Sequence, residues 1–311
     1  MNSSISSHSA STSPDVSQSS VRRALVLGGG GSAGNAWLIG VLAGLLEAGV
    51  DLTTADLTIG TSAGATVAAQ LSGATPTRLL ADILDAAPPQ RPVGPGFERG
   101  RGSGPVVDHL ERFKQIIAAS TDVADMRRTM GALALESTAV ADNSERWRAV
   151  VAARLTSTQW PERSVLITAV DARTGEPTVF DRFSGVALVD AVAASTSGGG
   201  SAYSIADGRY IDGGYRSNAD NADLATGYER VLVLSPLSGR SLHPVEWGTH
   251  LAAQVAQLRE AGSSVETVFP DDSAEQLFGA NAMDPSHRQP AARAGFDQGR
   301  SLAGRLATFW L

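Results

Sequence analysis

Ile59-Gly60-Thr61-Ser62-Ala63-Gly64 is the stretch on which the reading of this chain turns. It has the form G-x-S-x-G. The preceding Leu57-Thr58-Ile59 is apolar and β-branched, which suits a buried strand. The following Ala65 to Leu71 is small and helix-tolerant, and Ser72-Gly73 supplies a stop. A serine at such a corner sits on a tight turn, and the flanking glycines let another backbone approach closely. Its hydroxyl projects from the end of a sheet, while the N–H of Ala63 opens a helix. That N–H and the helix dipole both favour an anion, which is what the tetrahedral intermediate of acyl transfer requires. An ordinary Gly/Ser turn is the plain alternative, and the strand-then-helix context favours a nucleophile.

Upstream, Arg22 to Leu27 reads as a buried strand that ends in Gly28-Gly29-Gly30-Gly31-Ser32-Ala33-Gly34, and Ala36 to Ala48 has helical spacing with Gly49 as its cap. The next strand leads into Ser62. This strand–helix–strand unit predicts two parallel strands joined by a right-handed crossover. Gly29-x-Gly31-x-x-Gly34 fits an anion hole and also a dinucleotide fingerprint, because both use side-chain-free N–H groups near a helix N-terminus. A dinucleotide site also calls for an acidic residue at the end of the second strand. Asp51 and Asp56 come before that strand, which ends instead at Ser62. Two such loops at the ends of adjacent parallel strands converge on one spot.

Downstream, helical patterns run from Thr75 to about Ala87 and from Val106 to about Leu155, broken near Ser120 and at Asp142-Asn143. Pro88 to Pro105 is a long Pro/Gly/Arg-rich loop. Strands are expected at Ser164–Val170, Pro177–Phe180, Arg209–Ile211, Val231–Leu234 and Val265–Phe269. Helices are expected at Val186–Ala194, from about Val245 to Ala261, and from about Pro290 to Trp310. Residues 1–20 are serine-rich, with neither a basic start nor an apolar stretch, and read as a disordered tail rather than a secretory signal. Residues 21–311 then form a single α/β domain, a mainly parallel central sheet with helices on both faces. The helical insert at about 74–155 is its expected acyl-pocket wall or lid.

A serine needs a base. Ser62–Asp212–His243 or Ser62–Asp212–His250 would match the chain order of a hydrolase triad, but neither histidine sits in a glycine-marked loop, and His250 falls within an expected helix. Asp212-Gly213-Gly214 follows a strand end, and its glycines offer N–H groups to the carboxylate. A carboxylate held so stays ionised near neutral pH and accepts the serine proton directly.

Together these segments resemble the patatin-like phospholipase family, whose pattern is a glycine-rich oxyanion loop, a G-x-S-x-G serine and a distant D-G-G or D-G-A aspartate. The resemblance covers roughly Ala24 to Leu234. It implies a three-layer patatin-like sandwich and a lipid acyl hydrolase with a Ser-Asp dyad, without a catalytic histidine, a cofactor or a metal in the chemical step. It also implies Ser62 as nucleophile, Asp212 as base, and the N–H groups of Gly29, Gly30 and Gly31 as oxyanion donors. Ala63 N–H adds to them on the geometric ground given above. Two departures stand out. Ala33 occupies the place where the family usually carries Arg or Lys, and Ser195 to Ser201 is a plain glycine-serine stretch where the family commonly has an apolar, Pro-containing segment.

The composition narrows the partners. A net charge of −7 argues against nucleic acid, which needs a basic face. The absence of cysteine rules out disulfides and thiolate chemistry. No apolar run reaches the roughly 20 residues that span a bilayer. The expected setting is the cytoplasm, with a lipid or ester substrate and peripheral membrane-surface contact left open. The terminal helix, with Leu306, Phe309 and Trp310, is a candidate for that contact, and packing on the core is its alternative. Arg91, Arg99 and Arg101 are candidates for anionic head groups, with a solvated role as theirs.

Overall fold

A computed structural model describes residues 21–87, 105–140, 142–198, 200–272, 274–278 and 282–311. The expected serine-rich tail and the arginines of the long loop lie outside the described residues.

The first strand, β1 (Arg23–Leu27), feeds α1 (Gly31–Glu47), and β2 (Leu57–Gly60) leads into α2 (Ala63–Gln70). Then come α3 (Pro76–Leu84), α4 (Pro105–Ala119), α5 (Val123–Val140) and α6 (Ser144–Ala152), broken close to the expected positions. The hairpin β3 (Ser164–Asp171) and β4 (Pro177–Phe180) is followed by α7 (Leu188–Ser195), and a second hairpin by β5 (Tyr203–Ile205) and β6 (Gly208–Asp212). Next, β7 (Arg230–Leu234), α8 (Leu251–Glu260), β8 (Ser264–Val268) and α9 (Arg288–Trp310) end the chain. The sheet order is β5-β6-β3-β2-β1-β7-β8, with β4 also paired to β3. The pairs β1–β2, β1–β7, β2–β3 and β7–β8 are parallel, and β4, β5 and β6 are antiparallel to their partners.

Alternation along the central strands explains the layers. Leu25 and Leu27 pack into a core with α1, α2, α7 and α9, while Ala24 and Val26 pack with Leu251, Val255 and Leu258 of α8 on the opposite face. Both faces of the central strands are covered, as a parallel sheet requires. Every residue from Ala33 to Leu45 is buried, so α1 is covered all round, and apart from Asn35, which bonds Gln70 and Arg288, this stretch is apolar or glycine, as suits a core helix. Its glycines make that possible. A Cβ on Gly40 would overlap the Ala292 carbonyl and one on Gly44 the Phe296 carbonyl, while Cβ atoms on Gly295 and Gly299 of α9 would overlap the Trp37 and Val41 carbonyls. The two backbones approach through reciprocal glycines, and α9 seals the far side of α1.

Two expectations about elements are corrected. Helix α1 begins at Gly31 rather than Ala36, so the glycine loop supplies the helix's own first turn; glycine's low helix propensity concealed this. The helix expected from Val245 is instead a 3-10 turn, Val245–Trp247, then Gly248 at φ 66°, then α8. His250 is therefore the N-cap of α8, not a residue inside a helix. Strand β5 was not anticipated; three residues of Tyr-Ser-Ile carry too little periodicity to be read.

Candidate active site

The sheet brings together segments 150 residues apart. Parallel to β3, β2 runs up to Gly60, which pairs with Ile167. Antiparallel to β3, β6 runs down to Asp212, which pairs with Ala169. The two strands end facing each other, two positions apart along β3. Just past these ends, Ser62 Oγ donates to Asp212 Oδ2 at 2.8 Å.

Ser62 has φ 52° and ψ −109°, a conformation that costs a non-glycine residue energy and that surrounding contacts must maintain. One such contact is its N–H, which donates to the buried Ser195 Oγ at 2.9 Å. Another is the tight turn itself, where a Cβ on Gly64 would overlap the Leu27 carbonyl. Thr61 N–H also donates to that carbonyl, at 3.1 Å.

Asp212 is half-buried. Its Oδ1 accepts the Gly214 N–H at 2.8 Å, and its own N–H donates to the Ser197 carbonyl at 3.2 Å. A Cβ on Gly198 would stand 3.1 Å from Asp212 Oδ2, so the glycine-serine stretch after α7 lies directly against the carboxylate. Burial pushes the Asp212 carboxyl up to about 6, against the opposing pull of the Gly214 N–H and the Ser62 hydroxyl. Behind both loops lies a buried polar cluster. Thr61 Oγ1 and Thr168 Oγ1 are 2.9 Å apart, and Asn221 Nδ2 donates to Thr61 Oγ1 and to the Gly213 carbonyl, each at 3.0 Å.

The glycine loop overlies the serine, since a Cβ on Gly29 would stand 3.5 Å from Ser62 Cβ. Its N–H groups are not equivalent. Gly28 N–H donates to the Leu234 carbonyl and Gly29 N–H to the Ala219 carbonyl, at 3.0 and 2.7 Å. The Gly29 N–H, expected as an oxyanion donor, thus has an acceptor in the Ala219 carbonyl, and this contact anchors the loop. Gly30 is the N-cap and Gly31 the first residue of α1, just as Ser62 caps α2 and Ala63 opens it. N–H groups in such first turns have no partner within their helix. The buried Ala33 donates its N–H to the Ala282 carbonyl at 2.9 Å.

The histidines engage elsewhere. His243 Nδ1 lies 2.8 Å from Thr249 Oγ1, and His250 Nε2 lies 2.8 Å from the His243 carbonyl. Burial pushes the His243 imidazole down to about 4, and its ring packs against Trp247 and Phe113. The structure brings Ser62, Asp212, the glycine loop and Ala63 together and leaves these two histidines in their own cluster. On the insert, Phe113 of α4 meets Tyr215, three residues past Asp212, edge-on at 5.4 Å. Met126 and Met130 of α5 share a core with Tyr215 and Ile211. In the terminal helix Leu306 and Trp310 are fully buried, so packing on the core is what the structure shows for them.

Ser195, Asp220 and Asn221 escaped the sequence reading as individual residues. For Ser195 a signal existed in the glycine-serine stretch already seen as a departure. A lone Asn or Asp after D-G-G carries none.

A strained serine on a strand-to-helix turn, an aspartate within hydrogen-bond reach and a glycine loop beside them thus stand together on one mostly parallel α/β sheet. The family model described as patatin-like phospholipase matches residues 25–225, and the chain belongs to that family. Membership supports a hydrolase acting on lipid acyl esters. Among solved structures the chain is similar to VipD from Legionella pneumophila, at 13% identity over 92% of this chain and 67% of that one, with a TM-score of 0.43. It is also similar to the type III effector protein ExoU, at 16% identity over 92% of this chain and 53% of that one, with a TM-score of 0.35. The chain thus spans about half of the ExoU chain. No curated protein matches it significantly. Among the described residues no helix is long and apolar enough to cross a membrane.

Proposed function

We propose that this protein is a serine acyl hydrolase that cleaves fatty-acyl esters through Ser62 and Asp212. Asp212 takes the hydroxyl proton as Ser62 Oγ attacks the ester carbonyl. The carbonyl oxygen becomes an oxyanion facing the N–H groups of Gly30, Gly31 and Ala63, which open α1 and α2. Collapse of this intermediate expels the alcohol, which recovers a proton from Asp212. Water then enters by the same route and releases the fatty acid. The observation that carries this reading is the 2.8 Å contact between Ser62 Oγ and Asp212 Oδ2. A carboxyl raised to about 6 is mostly ionised at neutral pH and more basic than a free aspartate, which suits direct proton acceptance.

Residues 21–311 act as one domain in this proposal, with α4 and α5 walling the acyl chain beside Tyr215. Substrate is taken from a lipid phase by peripheral contact in the cytoplasm. A triad through His243 or His250 finds no favouring observation, because both rings are engaged away from Ser62. A nucleotide reading of the glycine loop lacks the acidic residue at the second strand's end.

The test is hydrolysis of a short and a long acyl p-nitrophenyl ester. Ser62→Ala and Asp212→Asn should each abolish turnover, and the double variant His243→Ala/His250→Ala should retain it. Loss in the histidine variant with its fold intact would move the protein to the triad class. A Ser62 that neither turns over ester nor reacts with a fluorophosphonate probe would end the hydrolase reading.

A further inference from the structure

Asp220 is a carboxyl group that the proposed chemistry does not use. It is 1% exposed, and among the described residues its Oδ1 has no hydrogen-bond partner. Its polar side-chain contact is the Ser235 hydroxyl. The Asn218 side chain fixes its backbone by accepting the Asp220 N–H at 2.7 Å. The carboxyl is thereby held against the glycine loop from behind. A Cβ on Gly28 would overlap Asp220 Oδ1, and the preceding residue, Ala219, supplies the carbonyl that anchors Gly29 N–H. Asp220 thus faces Gly28, one residue before the glycine that overlies Ser62.

An ionised carboxylate there would have a single hydroxyl for company, and a buried charge so poorly partnered is strongly disfavoured. Gly28 and Ser235, which meet it, do not ionise, and burial and the Ser235 hydroxyl rather than any charged neighbour govern its carboxyl. The charged side chains nearest in sequence, Arg216 and Asp223, pair with each other at 2.8 Å. Asp212 is different, with a backbone N–H and the serine hydroxyl on its two oxygens.

We propose that Asp220 is a positioning residue that supports the glycine loop over Ser62 as a neutral acid, and that its ionisation places negative charge behind the oxyanion donors and slows turnover. This rests on the acyl-hydrolase reading of the site. The neutral acid fills the space under Gly28 without opposing the oxyanion. The anion works against the same N–H groups that the intermediate needs. Burial pushes the Asp220 carboxyl up to about 7, so the change falls on the alkaline side of the Asp212 limb and makes the pH profile bell-shaped.

The test compares wild type, Asp220→Asn and Asp220→Ala in the full chain by ester hydrolysis across the pH range, with fluorophosphonate labelling of Ser62 and thermal unfolding alongside. Asparagine is neutral and of the same shape, so Asp220→Asn should match wild-type kcat in mildly acidic buffer and lose the alkaline decline. Asp220→Ala should lower kcat at every pH, on the order of tenfold, with KM little changed. Asp220→Asn should also gain thermal stability relative to wild type as pH rises from about 4 to about 7 and keep that gain above it, because the carboxyl ionises in the unfolded wild type before it does so in the fold. A reactive wild type whose alkaline limb survives in Asp220→Asn overturns this proposal alone. A wild type inert to ester and probe overturns the acyl-hydrolase reading and takes this proposal with it.

Discussion

Asn221 donates its side-chain amide to Thr61 Oγ1 at 3.0 Å. The same nitrogen reaches the Gly213 carbonyl, also at 3.0 Å. Thr61 precedes Ser62 and Gly213 follows Asp212, so one buried amide ties the loop of the proposed nucleophile to the loop of its proposed base. Asn221 holds a left-handed backbone at φ 55°, a conformation that asparagine tolerates better than most residues.

Replacing Asn221 by alanine should therefore act on stability and catalysis together. The Gly213 carbonyl and the Thr61 hydroxyl would each lose a donor, at a cost of about 1–3 kcal/mol. Thermal unfolding should show the loss, and kcat should fall on the order of tenfold as the serine and carboxylate drift apart. A variant with unchanged Tm and kcat would show that the amide does not hold the two loops.

The pH dependence of kcat/KM should show an acid limb near the Asp212 value of about 6. Below it the carboxyl is protonated and cannot accept the serine proton, so activity falls with pH. The effect on stability has the opposite sense. A carboxyl whose folded pKa lies above its unfolded value stabilises the fold fully below about pH 4, and that contribution fades as pH rises through about 6. Asp212→Asn should flatten this part of the stability profile, which thermal unfolding at stepped pH would measure.

Ser195→Ala should impair the site without touching the proposed dyad. The Ser62 N–H would lose its acceptor, and an unpaired buried donor costs about 1–3 kcal/mol. With the strained serine turn less constrained, fluorophosphonate labelling of Ser62 should slow while the overall fold, followed by circular dichroism, persists. Labelling at the wild-type rate would count against this role.

What the sequence discloses follows the range of the interactions involved. The turn at Ser62, β1, β2 and their parallel pairing are local features written in short apolar runs and glycines. Asp212 could be singled out because two glycines follow it. The bond at Gly29 is not legible because only the fold brings the Ala219 carbonyl, 190 positions away, onto its N–H. His250 moved from a helix interior to a helix cap because Gly248 ends one turn and α8 starts another. Asn221, Ser195 and Asp220 reach Thr61, Ser62 and Gly28, all distant in the chain, where no spacing rule extends. The departure at Ala33 was visible, and the structure gives it a context, a buried side chain whose N–H is bonded to Ala282.

Packing between α1 and α9 gives the next prediction. Gly44→Val places a branched side chain where even one Cβ would overlap the Phe296 carbonyl. Overpacking of this kind costs about 1–3 kcal/mol or more, and the damage should spread to the glycine loop at the other end of α1. A clear drop in Tm is expected, together with reduced Ser62 labelling. Gly304→Val, where nothing lies within 4 Å of the added Cβ, should be tolerated far better and serves as the control.

The glycine-lined seam between α1 and α9 has a practical side for protein engineering. The family match stops at residue 225, upstream of β7, α8, β8 and α9. A fragment trimmed to that boundary would strip β1 of β7, one of its two neighbours, and uncover the greasy back of its central helix. Such a fragment would carry every proposed catalytic atom and still make a sticky, poorly soluble product. Expression designs should be drawn from the helix contacts rather than from the edge of the recognisable motif.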